Sequence, residues 1–362
     1  MIDDKDPADF LIRHLHTGGS GLQQKIDELV AVSAGQSKNA SLYREMILNV
    51  VRMAQADRDR WDAKIMLQTI AELEQAFARL EQFKRRRKVT VFGSARTPTD
   101  HQMYALARDM GRALADNDFM TITGAGNGIM GASHEGAGLD NSLGFNITLP
   151  FEQRSNAVVH NTDHDLSFRF FFLRKLFFVK EADALVLCPG GFGTLDETLE
   201  VLTLIQTGKS PVVPVILLDL PDGSYWDGLL AFFKGQMCDE GYILEADFNL
   251  MTLARSPDQA MREILNFYSN YHSSRWMDGR YLLRMYRPLT AQALEQINDT
   301  FGDICKEGTF RKSPPTGVDP DEPELKSMHC LEFNFNGRHQ GLLRALIDFI
   351  NQAENLESPG TA

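Results

Sequence analysis

At 362 residues, with 43% hydrophobic and 24% charged side chains, the chain is long enough for one large core with appendages and has an ordinary globular composition. A formal net charge of −12, from 37 Lys and Arg against 49 Asp and Glu, excludes a broad electrostatic footprint for nucleic acid. Cys188, Cys238, Cys305 and Cys330 are scattered without a C-x-x-C pair, so neither a zinc site nor a disulfide framework is expected. The opening Met1-Ile2-Asp3-Asp4-Lys5-Asp6 is too acidic for a signal or transit peptide, and no apolar run approaches a membrane span. A cytoplasmic protein with no membrane partner is the expectation.

Residues 1–87 have helical spacing, broken first by Gly18-Gly19-Ser20-Gly21. Tyr43, Met46, Ile47, Val50, Val51 and Ala54 recur at three and four, as do Ile65, Leu67, Ile70, Leu73, Phe77 and Leu80. This region is expected to be a helical extension packed on the core or on a second subunit. The basic run Lys84-Arg85-Arg86-Arg87-Lys88 closes that pattern and is expected to be a solvated helix end, where cations meet the dipole favourably.

From Lys88 to about residue 269 the pattern alternates strand and helix, the sign of a parallel sheet. Val89-Thr90-Val91-Phe92 is a strand ending in the small residues Gly93-Ser94-Ala95, followed by a helix over Tyr104 to Leu114. A strand over Phe119 to Thr123 runs into Gly124-Ala125-Gly126-Asn127-Gly128-Ile129-Met130-Gly131, a glycine-rich turn opening a helix. Further strands are expected at Gly144–Leu149, Ala184–Cys188, Val212–Leu218 and Asn249–Leu253, with helices around Arg174, after Pro189, near Trp226–Lys234 and near Pro257–Tyr268. Residues 270–362 read as a small α+β appendage. It has a strand at Tyr281–Tyr286, a helix near Ala291–Ile304, a Pro-rich acidic linker at 312–324, a strand at Cys330–Phe335 and a helix at Gln340–Ala353.

Three small-residue loops therefore leave strand C-termini, after Phe92, Thr123 and Cys188. An open parallel sheet gathers such loops on one edge, where ligands bind. The third, Pro189-Gly190-Gly191-Phe192-Gly193-Thr194-Leu195-Asp196-Glu197, is the most informative, since a glycine turn feeding a helix N-terminus presents free N–H groups to an anion. It is neither G-x-G-x-x-G nor a P-loop, because no Lys follows the last glycine. The same residues have a structural reading, in which Thr194 and Glu197 form a T-x-x-E capping box and Asp196 is an N2 acid. His134 reads as a surface or packing residue, and Met130 as core by default, with contact to a bound base as the alternative.

These residues resemble the LOG family of phosphoribohydrolases, once labelled lysine decarboxylases, whose signature P-G-G-x-G-T-x-x-E follows an Arg-Lys pair on the preceding helix. Here the pair is Arg174-Lys175, within Phe170-Phe171-Phe172-Leu173-Arg174-Lys175-Leu176-Phe177-Phe178, and the signature begins at Pro189. Leu202-Thr203-Leu204-Ile205-Gln206-Thr207-Gly208-Lys209 also looks like bacterial members, and the resemblance covers about Lys88 to Tyr268. Two departures stand out. Phe171-Phe172-Leu173 occupies the place of the family's Met-His-Glu, and Ala125 replaces the middle glycine of a Gly-Gly-Gly loop, tolerable unless that residue needs a positive φ.

The resemblance implies a Rossmann-like three-layer αβα sheet that hydrolyses the N-glycosidic bond of a nucleoside 5′-monophosphate, AMP or a cytokinin ribotide, to free base and ribose 5-phosphate. It implies Arg174 and Glu197 as the catalytic pair. Gly93, Ser94, Gly124, Gly126, Gly128, Lys175, Gly190, Gly191, Phe192, Gly193 and Thr194 would form the nucleotide and phosphate cradle. A carboxylate one turn past the phosphate loop suits the oxocarbenium-like charge at C1′, and Arg suits a fixed grip on phosphate or ribose oxygens. No cofactor or metal is expected, and no Schiff-base lysine constellation supports the decarboxylase label. A non-catalytic nucleotide sensor is the alternative. The helix around Arg174, apolar almost all round, implies a homodimer or higher even oligomer.

Overall fold

The structure, a computed structural model, describes residues 20–148, 154–315 and 323–357. Two compact units divide at Gln75/Ala76. The first holds helices α1 (Ser20–Ala34), α2 (Ala40–Gln55) and most of α3 (Arg60–Leu80). Its own small core joins Ile26, Val30 and Leu48. Gly18 and Gly19 lie outside the described residues.

In the second unit, β1 (Lys88–Phe92), β2 (Met120–Thr123), β3 (Ser142–Ile147), β4 (Asp165–Phe168), β5 (Ala184–Leu187), β6 (Val215–Leu218) and β7 (Met251–Ala254) form one sheet in the order β4-β3-β2-β1-β5-β6-β7. Every pairing is parallel. The central strands β1, β2, β5 and β6 are buried at every residue, which is why β5 and β6 run apolar without alternation. On one face, Val89, Val91, Val186 and Ile216 pack against α4 (Gln102–Asp116), α5 (Ile129–Ala137) and α9 (Pro257–Phe267) through Met110, Leu114, Ile129 and Ile264. On the other, α6 (Phe171–Lys180) sets Phe178 against Phe92 and Phe145 at ring separations of 4.8 and 5.4 Å. This is the Rossmann-like three-layer arrangement. The remaining helices of the sheet region are α7 (Phe192–Gln206) and α8 (Tyr225–Phe232).

Strand β4 was not expected. It is a four-residue edge strand with an exposed Ser167, too short and too polar to stand out by pattern. The strand expected at Gly144–Leu149 ends at Ile147, and Leu149 lies outside the described residues. The strand expected from Val212 starts at Val215, after Pro211 and Pro214, which have no N–H to donate to a ladder. The strand expected from Asn249 begins at Met251, because residues 245–250 form a short 3₁₀ stretch.

Beyond Ser269 a second sheet, antiparallel in the order β10-β11-β9-β8, is built from β8 (Tyr271–Met277), β9 (Arg280–Met285), β10 (Cys305–Ser313) and β11 (His329–Phe335). Helices α10 (Ala291–Phe301) and α11 (Gln340–Ile350) accompany it. Strands β8 and β10 were not expected; both carry interrupted polar residues and register irregularities, which hide a period of two. Residues 312–313, assigned to the linker, are the end of β10, while 316–322 lie outside the described residues.

The basic run is not a solvated helix end. The α-helix stops at Leu80, and Lys88 is a buried strand residue whose Nζ lies 3.2 Å from a Glu181 carboxylate oxygen. Arg87 stacks 3.6 Å above the Tyr268 ring, and Arg86 donates to the Asp140 carbonyl and the Asn141 side chain.

Candidate active site

The chain leaves β1 toward β2, β3 and β4 on one side and returns to β5, β6 and β7 on the other, so the strand order switches between β1 and β5. The loops after these two strands flank a crevice, the general ligand position in such sheets. They are stitched together: the Ser94 N–H donates to the Pro189 carbonyl at 3.2 Å, and the Ile129 N–H donates to the Ser94 carbonyl at 3.0 Å. The three glycine loops thus form one surface.

Helix α7 begins at Phe192, with Gly191 in extended backbone at its cap position and no side-chain cap. The capping-box reading fails for this reason: Thr194 lies inside the first turn, and Glu197 is a turn further on. Asp196 is likewise not an N2 acid but sits in the second turn and pairs with Lys175. The N–H groups of Thr194 and Leu195 both reach the Gly191 carbonyl at 3.1 Å, leaving the preceding amides at the mouth of the turn. A Cβ on Gly191 or Gly193 would meet open space, and the Phe192 side chain is almost fully exposed. Gly190 is different. A Cβ there would lie 2.1 Å from Thr194 Oγ1, so the turn must be tight, and the Tyr225 hydroxyl holds it by donating to the Gly190 carbonyl at 2.8 Å.

The second loop is locked from behind. Ala125 is fully buried at φ +59°, a left-handed conformation that costs a non-glycine residue about 1 kcal/mol. The condition under which a methyl would be unwelcome is therefore met. Asn156 compensates: its N–H donates to the Ala125 carbonyl at 2.7 Å and its Nδ2 to the Gly126 carbonyl at 3.1 Å. His134, completely buried, meets Thr123 Oγ1 and the Leu143 carbonyl, each at 3.2 Å, and lies beside the Asn156 amide. Burial lowers its pKa to about 4, so it is neutral. It is a packing residue of the loop's support, not a surface one. Gly93 and Gly128 are required by packing, since Cβ atoms there would stand 2.6 Å from Ile129 and 2.3 Å from the Ser94 carbonyl oxygen.

Arg174 and Glu197 come to the same crevice. The Arg174 guanidinium lies beside Gly124 and between the rings of Phe171 and Phe178, 5.0 and 5.4 Å from their centroids. Its Nε is buried without a hydrogen-bond partner among the described residues. Glu197 is 4% exposed; one oxygen is 3.5 Å from Lys175 Nζ, and Oε2 is buried with no partner among the described residues. Burial raises its pKa, while Lys175 and Arg174 pull it back. Lys175 is spent on carboxylates, at 2.7 Å from Asp196 and 2.6 Å from Glu200. Its ammonium is thus shared among three carboxylates, Glu197 the most distant. Among the described residues no group of three or more His, Cys, Asp or Glu is placed to hold a metal ion, and no helix is long and apolar enough to cross a membrane.

Asn156 and Tyr225 were missed by sequence reasoning. Each acts on a glycine loop from a distant loop or helix, and no local pattern marks either.

A family model described as possible lysine decarboxylase matches residues 129–264. The probable cytokinin riboside 5′-monophosphate phosphoribohydrolase LOG4 of Oryza sativa subsp. japonica is 30% identical over 49% of this chain and 76% of its own length. The cytokinin riboside 5′-monophosphate phosphoribohydrolase of Mycobacterium tuberculosis is 26% identical over 46% of this chain and 88% of its own. Several other plant proteins of that name align over less than half their length. Among solved structures, the molybdenum cofactor binding protein of Rippkaea orientalis has 22% identity and a TM-score of 0.36, covering 49% of this chain and 94% of that one.

Proposed function

The chain belongs to the LOG family of phosphoribohydrolases, and on that premise we propose that it hydrolyses the N-glycosidic bond of a nucleoside 5′-monophosphate, AMP or a cytokinin ribotide, to free base and ribose 5-phosphate. The observation that carries this reading is a pair of buried groups, Arg174 Nε and Glu197 Oε2, that have no hydrogen-bond partner among the described residues and lie beside an open glycine turn at the strand switch. Leaving two such groups unsatisfied is costly unless a ligand completes them.

In this reading the amides of Gly191, Phe192 and Gly193 and the α7 dipole hold the 5′-phosphate. Arg174 grips a phosphate or ribose oxygen with its fixed fork. Glu197, oriented by Lys175, opposes positive charge developing at C1′ and accepts a proton from the attacking water. Phe171 and Phe172, exposed at the start of α6, offer aromatic faces where other members carry the Met-His of their triplet. The leaving base then meets a stacking surface rather than an acid from this helix.

The test is a panel of nucleoside 5′-monophosphates, with adenosine as the phosphate-free control, followed for free base and ribose 5-phosphate without added metal. Turnover of at least one monophosphate, with adenosine far slower, is expected, because binding energy at the remote phosphate positions the reacting carbon. Intact monophosphates that nevertheless raise the melting temperature would make the protein a nucleotide sensor.

A further inference from the structure

The basic run that the crevice leaves unused lies at the opposite edge of the sheet. There a cavity of about 730 Å³ opens beneath the N-terminal ends of β1, β5 and β6, its walls including residues 84–88, Lys180–Asp183, Pro211–Val213 and Tyr268. Strands of four or five residues at ~3.3 Å each separate it from the glycine loops by roughly 15 Å. Six cations line it against three carboxylates, those of Glu81, Glu181 and Asp183, in a chain whose overall charge is −12. Concentrating positive charge in a concave site on an acidic protein focuses its field on small anions.

Not all six are free. Lys88 is held by Glu181, as is Lys180, while Arg87 stacks on Tyr268 and Arg86 is tied to residues 140 and 141. These contacts fix the wall. Lys84 and Arg85 at the rim are exposed; Lys84 has only a solvent-screened Glu81 at 3.4 Å, and Arg85 has no ion pair within 4.0 Å among the described residues. A rigid basic floor with two uncommitted cations at its mouth is arranged for a compact ligand of about three negative charges. A nucleic-acid strand is disfavoured by concavity and by the charge elsewhere on the surface.

We propose that this cavity is a second ligand site, separate from the glycine-loop crevice, that takes a small molecule carrying two or more phosphate groups. Such a ligand would draw Lys84 and Arg85 onto its oxygens and clamp the starts of β1 and β5, the strands whose far ends carry the crevice. The proposal does not depend on the reaction assigned to the crevice.

Inorganic pyrophosphate is the probe, titrated calorimetrically into the full chain. Lys84→Glu/Arg85→Glu should weaken binding by roughly tenfold or more, since charge-assisted contacts to phosphate dominate such affinity. Lys84→Gln/Arg85→Gln, which adds no repulsion, should weaken it less. Gly190→Ala, whose methyl would crowd Thr194 in the crevice, should leave it unchanged. Uptake abolished by Gly190→Ala alone would assign the anion to the glycine turn and overturn the proposal. So would no uptake by the wild type, or unchanged affinity in both charge variants.

Discussion

Replacing Glu197 with glutamine separates chemistry from architecture. The amide keeps the shape of a side chain that is 4% exposed, and only the charge is lost. Lys175 retains Asp196 at 2.7 Å and Glu200 at 2.6 Å, so its third and longest partner, at 3.5 Å, is the one removed. Burial already raises the Glu197 pKa, so neutralising it relieves a desolvation cost while giving up attraction to Lys175 and Arg174. The two effects oppose each other, and the net stability change should be within about 1 kcal/mol, a melting shift of a few degrees. No helix cap is lost, because α7 has no side-chain cap. Turnover should fall by about 10²-fold or more in kcat, close to 3 kcal/mol of barrier, with KM for the monophosphate little changed because the phosphate turn is untouched. Chromatographic detection of free base, with parallel thermal melts, measures both. A folded Glu197→Gln protein with wild-type kcat would refute the assignment and leave this carboxylate as a partner of Lys175 alone.

Other expectations test the supports. His134 titrates near 6.5 when unfolded and only near 4 when folded, so between those values the unfolded chain holds more protons and acidification favours unfolding. The stability at stake is about 3 kcal/mol at most, fully present above pH 6.5 and lost toward pH 4; denaturant melts of wild type and His134→Gln with the same slope over that range would contradict it. Gly128→Ala should destabilise by about 2 kcal/mol or more, because φ is +63° and the new methyl would stand 2.3 Å from the Ser94 carbonyl oxygen, and an unchanged denaturation midpoint would count against it. Ala125→Gly should be close to neutral, since relief of its left-handed backbone is offset by a lost buried methyl and a looser unfolded chain; a change above about 2 kcal/mol in melts would refute that balance. We also propose a homodimer through the exposed apolar face of Phe171, Phe172 and Leu176 on α6; light scattering should give twice 40.7 kDa, and a clean monomer at micromolar concentration would sink it.

Sequence by itself determined the alternation of strand and helix from Lys88, the three small-residue loops at strand ends, and the Arg174-Lys175 and Pro189–Glu197 motifs, because each is a local pattern of period, glycine or charge. Strand order needs partners distant in sequence, and only the tertiary structure put the switch between β1 and β5, where those loops become one crevice. It also divided the roles. Lys175 and Arg174 are adjacent in sequence, yet helical rotation aims one at Asp196 and Glu200 and sets the other between Phe171 and Phe178, its Nε without a hydrogen-bond partner among the described residues. The five cations at 84–88 read as one solvated run, but β1 begins inside it, so burial spends Lys88 on Glu181 and stacking spends Arg87 on Tyr268. The supports of the site, Asn156 behind Ala125 and Tyr225 on Gly190, act across 31 and 35 residues of chain, a separation that leaves no periodic trace.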